Sequence, residues 1–269
     1  MNILKPKMLS SFCLVALFFC VSSYSETWKD VPYLDGDTKN VGAYLVERAK
    51  LDIYCPDNVE NAPVIVWFHG GGLRSGEKEL PERLLHHDVC VVAPNYRLFP
   101  TVKSPTYIDD AARAVDWVYR NIKKYGGDKD KMVLSGHSAG GYLALMTVMD
   151  KRWLAKYKMD ANKIARLVPF SGHTITHFTV REERGVKGEQ PIVDDLAPLF
   201  HVRADAPPIT LITGDRELEL LGRYEENAYF ARMQKVNGHK NTRIYEMDGY
   251  GHNMVEPALP ILLGIAQEL

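Results

Sequence analysis

The residues with the most chemistry in them are Gly136-His137-Ser138-Ala139-Gly140, a G-x-S-x-G string that follows the apolar run Met132-Val133-Leu134. Glycines two before and two after a serine let the chain turn sharply from strand to helix, leaving the Ser138 hydroxyl at the tip of the turn. The apolar residues Leu143, Ala144, Leu145 and Val148 follow as the start of a helix, with Gly141 for close packing. The N–H of Ala139 would then lie at a helix N-terminus, where an anionic intermediate is stabilised. The chemistry this arrangement suits is nucleophilic attack by a serine.

A serine hydroxyl is a poor nucleophile at neutral pH, so Ser138 needs a base and a carboxylate to orient that base. In a strand–turn–helix setting the expected chain order is serine, acid, histidine. The late histidine in the right place is His252, in Gly249-Tyr250-Gly251-His252. His239 follows the Asn237-Gly238 turn and reads as an exposed loop residue. His69, His86, His87, His137, His173, His177 and His201 all precede the acid segment and are assigned structural or surface roles. Adjacent His86 and His87 point to different faces, which argues against a metal pair, and no metal site is expected. Two carboxylates, Asp215 and Glu217, lie in the loop after the strand-like run 208–213. Asp215 is the commoner residue type with the shorter reach, Glu217 lies two residues further on past Arg216, and either could serve as the acid.

His69-Gly70-Gly71-Gly72 ends another buried strand roughly 70 residues ahead of the serine. Glycine amides can approach a developing oxyanion closely, with their dipoles already aimed. The N–H groups of Gly71, Gly72 and Ala139 are the expected oxyanion hole, with Gly70 shaping the turn.

The elements that must carry these residues alternate between strand and helix. Strands are expected at 51–56, 63–68, 88–93, 132–134, 208–213 and 243–247, several of them continuous apolar runs suited to burial on both faces. Helices are expected at 105–124, after the elbow serine, around Tyr229, Met233 and Val236, and at 257–269, with a short one within 79–87. Residues 173–205 are irregular and charged and are expected to lie over the strand ends as a short cap. The alternation implies a single α/β domain over 26–269, a mostly parallel sheet with helices on both faces.

Composition narrows the class further. The chain has 269 residues, 46% hydrophobic and 25% charged, with a formal net charge of −1. No basic stripe is present to release counterions from a nucleic acid, so a nucleic-acid partner is not expected. Lys5 and Lys7, an apolar core through about Val21 and the small residues Ser23 and Ser25 have the order of a secretory signal peptide over 1–25, cleaved near Ser25. That core is too short to span a bilayer comfortably, so a secreted or periplasmic protein without a membrane span is expected. Of four cysteines, Cys13 and Cys20 would leave with the signal, and Cys55 and Cys90 are either paired or two buried thiols.

Taken together, FHGGGL at 68–73, NYRLFP at 95–100, GHSAGG at 136–141, GDRE at 214–217 and GYGHNM at 249–254 resemble the α/β-hydrolase superfamily of esterases and lipases. The chain is similar to the hormone-sensitive-lipase-like and bacterial carboxylesterase groups. The resemblance implies an eight-stranded, mostly parallel sheet and acyl-enzyme chemistry on a small ester with no cofactor. Counting three positions past the strand-end Gly214, as that family commonly does, gives Glu217 as the acid, with Asp215 as the alternative. The short cap implies short-chain or acetyl esters; amide, formamide or lactone hydrolysis is the alternative on the same machinery, and a binding protein without catalysis the more remote one. Leu73, Phe99, His173, Phe178 and Met254 are candidate pocket contacts, with ordinary packing the simpler role for each. Tyr96 and Arg97 match a family motif read as structural.

Overall fold

The computed structural model describes residues 26–36, 41–57, 59–220 and 222–269. The expected signal peptide, residues 1–25, lies outside the described residues. Eight strands form one sheet: β1 (Glu26–Pro32), β2 (Lys50–Cys55), β3 (Ala62–Phe68), β4 (Cys90–Pro94), β5 (Gly127–His137), β6 (Arg166–Phe170), β7 (Ile209–Gly214) and β8 (Thr242–Met247). Their spatial order is β1-β2-β4-β3-β5-β6-β7-β8. β2 runs antiparallel to both neighbours, and the remaining pairs are parallel.

The helices are α1 (Ala43–Arg48), α2 (Thr106–Asn121), α3 (Ala139–Met149), α4 (Arg152–Ala155), α5 (Phe178–Glu183), α6 (Arg223–Val236) and α7 (Val255–Gln267). On one sheet face, α2 and α3 pack over Val64, Val66, Met132 and Leu134; on the other, Ala258, Leu259 and Leu262 of α7 cover Ile65, Val91 and Val133. Alternate residues of β3 thus enter different cores, which is why its sequence is apolar throughout rather than alternating. α3 is buried over its whole length and apolar all round, as a helix clamped between sheet and α2 must be.

Sheet register decides where the chemistry sits. Phe68 pairs with Gly136, and His137 with Phe170, so β3, β5 and β6 end at one level. Two further bonds, Ser138 N–H to Phe170 O (2.8 Å) and Ser171 N–H to Ile212 O (2.7 Å), extend the ladder past the strand ends. The loops after these strands, and those after β7 and β8, therefore share one rim.

Several local expectations change. The interval 79–87 contains one 3-10 turn, Glu82–Leu84, rather than a helix. Sequence pattern marks none of β1, β6 and α1: β1 is an exposed edge strand, β6 is a five-residue run interrupted by Pro169, and α1 has a single buried residue. The cysteine alternatives resolve to a disulfide, Cys55 to Cys90, joining the end of β2 to the start of β4. Among the described residues no helix is long and apolar enough to cross a membrane.

Candidate active site

Ser138 occupies the turn between β5 and α3 with φ 55° and ψ −114°. A serine in that region is strained, and the surrounding contacts hold it there. A Cβ on Gly140 would lie 2.0 Å from Phe68 O, so only glycine allows α3 to start this close to β3. The turn aims the hydroxyl at the loop after β8, where His252 Nε2 stands 3.0 Å from Ser138 Oγ. A second histidine fixes that loop: His137 Nε2–H donates to the His252 carbonyl at 2.8 Å. Burial holds His137 down at about 4, so this donor stays a neutral imidazole at physiological pH.

The carboxylate on His252 is Glu219, with Oε1 2.6 Å from Nδ1. This corrects both sequence assignments. After β7 the chain makes one helical turn in which Leu218 and Glu219 donate their N–H groups to Asp215 O (3.0 and 2.8 Å). The turn folds Glu219 back over the strand end and leaves Glu217 in solvent. Asp215 instead ties the two loops together, accepting from the N–H of Glu217 and of Gly249, each at 2.9 Å. Glu219 itself receives Ser171 Oγ–H (2.6 Å), Gly214 N–H (3.1 Å) and Leu220 N–H (2.8 Å). Burial works to raise this carboxyl, but hydrogen bonds from His252, Ser171 and Leu220 outweigh it and hold it at about 2. No sequence cue singles out Glu219: within Leu218-Glu219-Leu220 the acid is buried while both leucines are exposed, the reverse of what polarity alone suggests.

The glycine loop after β3 runs beside the serine, since a Cβ on Gly70 would lie 3.5 Å from Ser138 Cβ. Gly71 turns at φ +101°, where a Cβ would meet Ser75 O at 2.2 Å. Its carbonyl accepts from the N–H groups of Arg74 and Ser75, both at 3.0 Å. Among the described residues no backbone acceptor meets the N–H of Gly71 or Gly72, and Ala139 as the first residue of α3 has no intrahelical acceptor for its own. Tyr96 braces the loop, donating to His69 O at 2.9 Å while its ring stacks on the His69 ring at 4.3 Å. Arg97 forms a bidentate pair with fully buried Asp110, at 2.8 and 2.7 Å.

Segment 173–205 touches this loop through Thr179 Oγ1–H, which donates to Gly72 O at 2.5 Å, and through Phe178, whose ring tip abuts Gly72. A cavity of about 790 Å³ opens between α5 and the start of α6, with His173, Phe178, Leu220 and Tyr229 among its walls. Of the candidate pocket contacts, His173 and Phe178 line it. Leu73 and Met254 are fully buried core residues, and Phe99 packs at the core margin under the Arg74 guanidinium. His239 is not an exposed loop residue: it is buried, bonded to Thr242 Oγ1 (2.6 Å) and Ala206 O (2.9 Å). Among the described residues no group of three or more His, Cys, Asp or Glu side chains is placed to hold a metal ion.

The BD-FAE family model matches residues 51–220. The chain belongs to the BD-FAE family. Among relatives of this BD-FAE protein, it is similar to the probable carboxylic ester hydrolase LipM of Mycobacterium tuberculosis, 30% identical over 182 residues, 59% of this chain and 42% of that one. Esterase LipQ of the same organism is 26% identical over 220 residues, 72% of this chain and 50% of that one. The chain thus spans half or less of the length of these two curated relatives. A truncated carbohydrate esterase from gut microbiota superposes with a TM-score of 0.74 at 18% identity, covering 91% of this chain and 96% of that one. Thermogutta terrifontis esterase 2, phosphoramylated by tabun, gives 0.69 at 24% identity, covering 91% and 92%. The fold is the α/β-hydrolase fold.

Proposed function

We propose that this BD-FAE protein is a serine carboxylic-ester hydrolase working through an acyl-enzyme. The observation that carries the reading is the continuous chain Ser138 Oγ, His252, Glu219 at 3.0 and 2.6 Å beside unused backbone donors. Ser138 Oγ attacks the ester carbonyl as His252 Nε2 takes its proton. Glu219 stabilises the imidazolium through Nδ1–H. The N–H groups of Gly71, Gly72 and Ala139 receive the tetrahedral oxyanion. His252 returns the proton to the leaving alcohol, and water activated by the same imidazole releases the acid. The curated relatives named as an esterase and a carboxylic ester hydrolase support this reaction class.

Substrates with short acyl groups suit the site, because Phe178 and Thr179 close directly on the glycine loop. Export of the chain fits the Cys55–Cys90 disulfide, since such bonds persist in oxidising compartments. A fluorophosphonate probe should label Ser138, and Ser138→Ala should remove both the label and turnover of p-nitrophenyl esters. Turnover across acyl lengths should peak at roughly two to four carbons, as the closure of Phe178 and Thr179 on the glycine loop implies. A folded protein that neither labels nor turns over any ester would overturn the reading, and a maximum at long chains would overturn its short-acyl part.

A further inference from the structure

We propose that Ser171 is a positioning residue for the reaction: its hydroxyl locks the Glu219 carboxylate in the orientation that faces His252. The inference rests on the ester-hydrolase reading and adds a residue from outside every motif in the sequence. A glutamate side chain has one more rotatable bond than aspartate, so a glutamate acid needs firmer clamping to present one oxygen to the base. Here each oxygen carries two donors. Oε1 receives His252 Nδ1–H (2.6 Å) and Leu220 N–H (2.8 Å), and Oε2 receives Ser171 Oγ–H (2.6 Å) and Gly214 N–H (3.1 Å). Among the described residues, Ser171 is the one side chain other than the base that bonds this carboxylate.

The same hydroxyl also faces the base. Ser171 Oγ lies 3.1 Å from His252 Nδ1, and its single proton is already committed to Glu219. It can therefore only accept there, so Nδ1–H is shared between Glu219 Oε1 and Ser171 Oγ. Both contacts demand the tautomer with its lone pair on Nε2, the nitrogen that faces Ser138. Acting through Glu219 and His252, Ser171 holds the base ready without touching the substrate.

Its backbone gives a second, independent reason. Ser171 is fully buried with φ 46°, a conformation costly for any residue but glycine. Two clamps keep it there. Its N–H bonds Ile212 O, and its carbonyl accepts from Arg223 Nη1, a buried guanidinium flanked by Glu226 and His173. Glycine would meet the backbone requirement without strain, so what serine contributes at this position is its hydroxyl.

The test compares Ser171→Ala, Ser171→Gly and Ser171→Cys. Loss of a hydrogen bond to a charged acceptor should lower kcat for a short-chain p-nitrophenyl ester by about tenfold to a hundredfold in the alanine and glycine variants. KM should stay within about twofold, since the change lies behind the base. Ser171→Gly should melt no lower than Ser171→Ala, which loses the same hydroxyl but keeps the strained backbone, and the weaker thiol donor of Ser171→Cys should leave activity between the two extremes. A glycine variant with wild-type kcat would overturn the inference. Proton NMR separates this from failure of the ester reading. The low-field His252 Nδ1–H resonance, assigned by its loss in His252→Ala, should shift in Ser171→Gly whether or not an ester is turned over, and an unshifted resonance would also overturn it.

Discussion

Glu219 is sealed at the end of one helical turn while Glu217, two residues earlier, projects into solvent, and the contrast predicts which substitution costs activity. Glu219→Gln keeps the side-chain volume but removes the charge that stabilises the imidazolium, and its amide can present a donor to His252 Nδ1–H. Turnover should fall by about a thousandfold or more, as when an orienting carboxylate is neutralised in a serine hydrolase. Glu217→Gln should stay within about twofold of wild type, since that carboxylate touches nothing in the site. Asp215→Asn should be intermediate, a loss of severalfold, because Asn retains one acceptor for the N–H groups of Glu217 and Gly249. Steady-state kinetics on variants of matched melting temperature would check the order, and a large loss confined to Glu217→Gln would contradict it. Ser138 and His252 were legible in the sequence because each sits in a short motif whose geometry is local. The acid was not, because its position depends on where the turn after β7 closes. Counting from Gly214 gives a distance along the chain, whereas the bond from Glu219 N–H to Asp215 O sets which carboxylate points inward.

At the scale of elements, strands buried on both faces were the easiest to read and the polar faces of helices the hardest. β3 and β4 are nearly unbroken apolar runs, and β7 sets Ile209, Leu211 and Ile212 among threonines before Gly214, so their existence and their rim loops follow from sequence. Tyr229, Met233 and Val236 mark α6 in the sequence, yet Tyr229 and Val236 are exposed, and the face turned inward carries Arg223, Glu226, Asn227, Phe230 and Gln234. That face serves the segment after β6: Asn227 Nδ2 donates to Gly172 O at 2.9 Å, and Thr174 Oγ1 donates to Glu226 O at 2.7 Å. A hydrophobic period cannot reveal a helix that is held by hydrogen bonds to another loop. The disulfide is a separate matter, since it lies between β2 and β4, well removed in sequence and role from the rim loops. Replacing Cys55 and Cys90 together by alanine opens a crosslink of sequence separation 35. The double variant should lose roughly 2–4 kcal/mol of stability. Its kcat should match wild type at a temperature where both are folded. Denaturant titration alongside ester turnover would show this, and an unchanged midpoint would mean that the bond adds nothing to the fold.

Across the whole molecule, the histidines that the fold draws out of water help set how stability depends on pH. Burial holds His69 and His137 at about 4, and holds His173 and His177 well below the ordinary value of 6.5. These four rings are neutral in the folded chain and take up protons on unfolding once the pH drops below about 6.5. Their contribution is fully present above that value and is lost as pH falls through their lowered folded-state values, about 4 for His69 and His137. Glu226 works in the opposite direction. Burial raises it to about 7, so between its ordinary 4.5 and about 7 it is protonated when folded and releases a proton on unfolding, and the stability it lends fades as pH rises. Glu219, held at about 2, enters only below 4.5. Between 4.5 and 6.5, then, four histidines oppose one glutamate, and unfolding takes up protons on balance. By linkage, stability must climb with pH across that interval, by a few kcal/mol in order of magnitude. None of this was visible in the histidine count, because a sequence does not say which rings the fold removes from water. Calorimetric melting at pH 4.5, 5.5, 6.5 and 7.5 should give a midpoint that rises steeply through the first three and then levels. A midpoint that is flat or falls from 4.5 to 6.5 would mean these histidines are solvated in the folded chain.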